Sequence, residues 1–109
     1  MHQLTIDRRT WLRGDGPDRS ALRTQDGKQC CIGFYCRNIE RLKIKDIIDV
    51  TTLANLDGMI SGPLSDIPND LMSGDFYHPN DSVFLSDEVR ERILTESFER
   101  YGIKVRFVN

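Results

Sequence analysis

From Asp46 to Glu88 the chain carries no lysine and no arginine, yet nine of those positions are acidic. Long hydrophobic runs are missing too. The longest apolar stretch is a handful of residues around Ile32–Cys36, far short of the ~20 that span a bilayer. The opening residues, MHQLTIDRRTWLRG, contain no apolar core of a secretory signal. Cysteine is scarce. Cys30, Cys31 and Cys36 fall within one short stretch, whereas a disulfide scaffold needs an even number spread along the chain. The expectation is a soluble, cytoplasmic protein with reduced thiols. Internal repeats and low-complexity tracts are absent. At 109 residues, with 39% hydrophobic and 29% charged side chains, there is material for one cored domain over 1–109 and no second one.

What is present is a segregated charge. Residues 1–45 hold ten Lys/Arg against five acids, and residues 46–109 hold five against twelve, which sums to the formal −2. Such a split makes a dipolar surface if the halves stay apart in space, and it cancels if they fold together.

The periodicities predict an α+β fold. A small antiparallel sheet built from 3–6, 21–24 and 103–108 packs against two main helices at 30–42 and 87–101, with a loop-rich segment at 43–82 between them. Ile103–Val108 alternates as a half-buried strand does. Ser86 reads as an N-cap and Gly102 as the residue that ends the last helix. Asp26-Gly27 marks a tight turn. Asp7 is suited to cap a short helix carrying Trp11 and Leu12. Gly33, a poor helix residue, reads as a point where another backbone comes close. The expected core is Trp11, Leu22, Cys31, Phe34, Tyr35, Ile39, Val89, Ile93, Phe98, Val105 and Phe107.

Several residue groups could carry chemistry. Cys30 and Cys31 stand at a predicted helix N-terminus near Lys28, where the dipole favours thiolate. With His78 as base, oriented by Asn80 or Asp81, they would form a thiol nucleophile site. The plainer expectation is that these thiols pack in the core. As zinc ligands the three cysteines, with His2 and His78, have spacings that make at most half a site, so no metal and no cofactor are expected. Arg8, Arg9, Arg13, Arg19 and Arg23, with Trp11 and Tyr35 as stacking groups, could contact nucleic acid. A pI of about 5.6 argues against that role. Asn80-Asp81-Ser82 reads as a backbone-capping turn. The acidic residues Asp46, Asp49, Asp57, Asp66, Asp70, Asp75 and Asp81, followed by Asp87 and Glu88, could dock on a cationic groove of a partner protein.

Four segments carry a resemblance: Ile6-Asp7-Arg8-Arg9-Thr10-Trp11-Leu12-Arg13-Gly14, Asp26-Gly27-Lys28-Gln29-Cys30-Cys31-Ile32-Gly33-Phe34, Asn80-Asp81-Ser82 and the ending Gly102–Val108. Together the chain resembles a group of small uncharacterised proteins of phages and prophages. Those share a D-G-K-x-C-C-L-G-F or C-C-L-G-V-L-C segment and a later N-D-S or N-D-x-G. Position 32 is Ile where that group often has Leu. The resemblance implies an accessory gene of a virus or integrated element, and no catalytic role comes with it. Small accessory viral proteins commonly bind a host defence or regulatory protein and block it, inhibitors of CRISPR effectors among them. That implies a non-enzymatic inhibitor with a host-protein partner.

Overall fold

The computed structural model describes residues 2–14, 21–56 and 58–109. Strand β1 (His2–Asp7) turns Leu4 and Ile6 inward and leaves Gln3 and Thr5 in solvent. Strand β2 (Ile103–Val108) alternates likewise, with Lys104 and Arg106 outward. The two pair in parallel, Leu4 opposite Val105 and Ile6 opposite Phe107. The ladder continues past both ends through His2 N–H to Gly102 O (3.1 Å) and Arg8 N–H to Val108 O (2.9 Å). The expected antiparallel sheet is therefore wrong in direction and in strand number. Alternation fixes which face of a strand is buried, not which way the strand runs. Here all the helices lie in the connection between β1 and β2, the long crossover a parallel pair requires. Residues 21–24 do not form a third strand. Arg23 makes one isolated bridge to Ile48, with Leu22 N–H donating to Val50 O (2.7 Å) and Asp49 N–H to Arg23 O (2.8 Å).

There are four helices among the described residues, not two main ones. Helix α1 (Cys31–Asn38) is buried from Cys31 through Cys36. Gly33 does meet another backbone. A Cβ there would lie 1.8 Å from Leu22 O. Helix α2 (Ile44–Ile47) is one turn, with the Asp46 carboxylate accepting from Lys43 N–H (3.0 Å). Helix α3 runs over 69–81, inside the segment expected to be loop-rich. Its middle, Ser73–Tyr77, is a π turn in which His78 N–H reaches back to Ser73 O. Pro79 supplies the cause. It has no N–H to give, and in an α-helix its ring would crowd the carbonyl of Asp75; the widened turn removes that conflict. Helix α4 (Asp87–Glu99) starts at Ser86, whose hydroxyl accepts from Val89 N–H (3.2 Å), and ends before Gly102 at φ +77°. Asp7 caps a turn rather than a helix: its Oδ1 accepts from Arg9 N–H (3.0 Å).

The sheet packs its apolar face on α1 and α4. Of the expected core, Trp11, Leu22, Cys31, Phe34, Tyr35 and Phe98 are buried, while Ile39, Val105 and Phe107 are partly buried against them. Val89 and Ile93 are only half-buried. The buried face of α4 instead runs through Arg90, Leu94, Ser97 and Phe98. The middle segment contributes Ile47, Leu53, Leu56, Leu64, Met72, Phe76 and Tyr77 to the core.

Candidate functional site

Three of the four segments that carried the motif resemblance meet at one side chain. Asn80, fully buried, accepts at Oδ1 from Trp11 Nε1 (2.8 Å) and from Cys31 N–H (3.0 Å). Its Nδ2 donates to Leu12 O (2.9 Å) and to Asp81 Oδ1 (2.9 Å). Its carbonyl receives Gly14 N–H (2.8 Å). Every hydrogen-bonding position of the amide is used. Asn80 thus caps α1 from outside that helix and ties the N-terminal segment to α3.

The thiols are packing groups in this structure. Cys30, Cys31 and Cys36 are buried and unpaired by disulfides. Burial pushes the Cys30 thiol up to about 12, against the smaller opposing pull of the helix-terminal N–H groups. Burial raises Cys31 and Cys36 as well. A nucleophilic cysteine needs the reverse shift. Cys31 Sγ donates to Phe76 O (3.8 Å). His78 is exposed, and no hydrogen bond joins it to either thiol. Among the described residues no group of three His, Cys, Asp or Glu side chains is placed to hold a metal ion.

The N-terminal arginines are largely occupied. Arg8 pairs with Glu91 (2.7 Å), Arg9 with Asp7 (3.0 Å) and Arg13 with Asp87 (3.0 Å), while Arg23 donates to Gln29 (3.1 Å). Arg19 lies outside the described residues. Trp11 and Tyr35 are buried and hydrogen-bonded inside, so neither is available to stack on a base.

The acidic residues divide. Asp46 caps α2, and Asp49 at φ +60° accepts from Gln25 Nε2 (2.6 Å). Asp75 pairs with Arg100 (3.1 Å) and receives the Tyr101 hydroxyl (3.4 Å). Asp81 is buried beside Asn80. Asp87 is held below the usual carboxylate range by Arg13 and, less strongly, by Arg90. Asp57 lies outside the described residues. Asp66 and Asp70 are exposed, with no ion-pair partner among the described residues.

Asp66 stands on the rim of a cleft of about 620 Å³ whose lining mixes Leu53, Ile60, Leu64, Ile67 and Met72 with Ser61, Ser65 and Asn69, polar groups making up the larger part of its exposed surface. No other charged residue among those described lines it. Its walls are fixed from below. Tyr35 Oη donates to Glu40 (2.5 Å) and accepts from Leu64 N–H (3.2 Å), and Glu40 in turn accepts from the N–H groups of Ser61 (3.0 Å) and Gly62 (2.8 Å). Tyr77 Oη accepts from Leu53 N–H (2.8 Å). Sequence reasoning missed this cleft because its Pro and Gly residues masked the spacing of its apolar side chains.

It also missed Arg90 and the loop it holds. Arg90 is 3% exposed. Its Nε donates to Pro79 O (3.1 Å), its Nη2 to Leu85 O (3.0 Å) and to Ser82 O, and its Nη1 to Asp87 (2.5 Å). Gly14, at φ +66°, leaves room for this guanidinium; a Cβ there would lie 3.1 Å from Nη2. The loop so clamped presents Phe84, 94% exposed, beside Val83. The available signal was a short apolar run, Val83-Phe84-Leu85, wedged between two serines where no strand or helix could use it. No helix among the described residues is long and apolar enough to cross a membrane. No family model, no curated protein and no solved structure matches the chain.

Proposed function

We propose that the chain is a non-catalytic binding protein. In this reading it is an accessory protein of a phage or prophage that docks on a cationic surface of a host defence or regulatory protein and blocks it, as CRISPR-effector inhibitors do. The observation that carries the reading is the cleft over 53–72. Its lining mixes aliphatic and uncharged polar side chains, Asp66 is its one charged residue among those described, and Asp70 stands exposed in the adjoining helix. It lies within a stretch that contains no lysine or arginine. A mixed aliphatic and polar lining with one carboxylate on the rim suits a segment carrying cationic and polar side chains beside aliphatic ones. The buried thiols with raised pKa support a role without thiol chemistry.

The test is phage plaquing on a panel of bacteria carrying nuclease-based defences, with and without the chain co-expressed. Plaquing should recover in at least one strain. C30S and C31S should keep the effect where they fold, and D66K/D70K should remove it. Recovery in no strain, full recovery by D66K/D70K, or loss confined to a folded thiol variant would each overturn the reading.

A further inference from the structure

We infer that the solvent face of the sheet holds a site for a phosphate monoester, formed by Lys104 and Arg106 of β2 with Gln3 and Thr5 of β1. The register sets Gln3 beside Lys104 and Thr5 beside Arg106, and all four side chains leave the same, exposed face. Strands lie ~4.8 Å apart and rise ~3.3 Å per residue, so the four Cα atoms mark the corners of a patch about 5 by 7 Å. Together these residues line a pocket of about 240 Å³ with Leu4 between them. Helices α1 and α4 lie against the opposite face, which leaves this one open to solvent.

The donor set selects the ligand. Neither the Lys104 nor the Arg106 side chain has an ion-pair partner among the described residues. No acidic residue among those described lines the pocket. Asp7, next along that face, is already engaged by the Arg9 guanidinium and N–H. Two positive charges therefore stand side by side without a counter-charge. An ammonium, a guanidinium fork, a hydroxyl and an amide can donate to several oxygens at once. A phosphate monoester brings three terminal oxygens and about 1.5–2 negative charges at pH 7, which match both cations. A carboxylate brings one charge and two oxygens and leaves one cation unmatched. No aromatic side chain among those described lines the pocket, so no base would be held by stacking. Two cations give a nucleic-acid strand little purchase, and residues 46–109, with five bases against twelve acids, repel a long polyanion. The pocket is smaller than the ~300 Å³ at which sites for drug-sized ligands begin. It takes the phosphoryl end of a small molecule and leaves the remainder outside. It shares no residue with the cleft over 53–72.

The test is an amide NMR titration of the full chain with glycerol 3-phosphate at pH 7.5 and constant ionic strength, repeated with methyl sulfate, acetate and an oligothymidylate. The same titration is run on K104Q/R106Q. Both side chains point into solvent, so this variant should melt at the parent temperature. We expect saturable shifts grouped at residues 3–5 and 104–106, and an affinity at least tenfold weaker in K104Q/R106Q. Methyl sulfate, with a single charge, should bind at least tenfold more weakly than glycerol 3-phosphate. A double variant within twofold of the parent, acetate or methyl sulfate equal to glycerol 3-phosphate, or shifts at every exposed cation alike would reduce the effect to general screening and overturn the site. Oligothymidylate bound more tightly at equal phosphate concentration overturns the small ligand in favour of a nucleic-acid strand. Shifts at 3–5 and 104–106 that grow with chain concentration before any phosphate is added overturn it in favour of carboxylates from a second copy.

Discussion

Replacing Asn80 by alanine should cost about 3–5 kcal/mol. The side chain is fully buried and serves two buried donors at once, the Trp11 indole N–H and the Cys31 backbone N–H at the start of α1. It also serves Leu12 O and the Asp81 carboxylate. A buried polar group stripped of its partner costs about 1–3 kcal/mol. Two such donors, with partial relief by an entering water, give the figure stated. Against a total of about 5–15 kcal/mol for a domain of this size, that is a large share. Urea unfolding followed by circular dichroism measures it, and a loss below about 1 kcal/mol would show that the amide is not the tie between the three segments. Asn80→Asp sharpens the test. Oδ1 could still accept from Trp11 and Cys31, but the second oxygen would face Leu12 O and the Asp81 carboxylate. The new carboxyl would therefore have a folded pKa raised above its unfolded value. The deficit relative to the parent should be smallest below pH ~4, where the carboxyl is protonated in both states, and should grow as pH rises through the folded pKa. A deficit that widens toward acid would refute the geometry.

Trp11→Ala removes a buried indole that also stacks obliquely on Phe107 with ring centroids 5.0 Å apart. It should cost about 3–5 kcal/mol by the same unfolding assay. Gly33→Ala gains about 1 kcal/mol of helix propensity, yet its Cβ would lie 1.8 Å from Leu22 O. The clash is with backbone that also bonds Val50 O through Leu22 N–H, so a net loss of about 2 kcal/mol or more is expected; a stabilised variant would mean α1 does not pack there. The three thiols should be inert to an aromatic disulfide reagent at pH 7.5 in the native protein and react at once in urea, since burial raises all of them. The same shifts set a pH dependence. Each thiol stays neutral when folded and ionises when unfolded, so its contribution is whole below an unfolded pKa of about 8.5 and is lost above it, by about 1.4 kcal/mol per thiol at pH ~9.5. Stability that is flat from pH 8 to pH 10 would contradict the burial.

Local signals proved readable where one residue type solves one backbone problem. Ser86 caps α4, Gly102 ends it at positive φ, Gly27 takes φ +90° in the Asp-Gly turn, and Gly33 admits the Leu22 backbone. Signals that depend on three-dimensional context did not survive translation. The alternation of Leu4/Ile6 and of Ile103/Val105/Phe107 holds equally for parallel and antiparallel pairing. The segment 43–82 read as loop-rich, but around Pro79 a π turn keeps the helix going and lets Phe76 and Tyr77 reach the core. The expected core of the last helix, Val89, Ile93 and Phe98, left Arg90 out. The burial of Arg90 rotates that helix, so that Leu94 and Phe98 lead and Val89 and Ile93 fall to the margin. No periodicity argument places a charged residue in the core, because the carbonyls of the loop before the helix, with the Asp87 carboxylate, are what make the burial tolerable.

The placement of the motif segments gives them an architectural role. Trp11, Cys31 and Asn80 are drawn from three of those segments, and all three spend their polar groups on one another inside the protein. A side chain so committed can fix an architecture but has nothing left to offer a substrate or partner. Asp66, Asp70 and the apolar pair Val83–Phe84 are exposed and fall outside those segments, whose own exposed charges, Lys28, Lys104 and Arg106 among them, lie away from the Asn80 knot. Chains sharing the Asn80 knot are therefore expected to share the fold around it and to differ in what they bind. Exchanging residues 58–72 and 83–84 between two such chains should transfer partner choice while leaving the unfolding midpoint nearly unchanged, whereas exchanging the Asn80 segment should do the reverse.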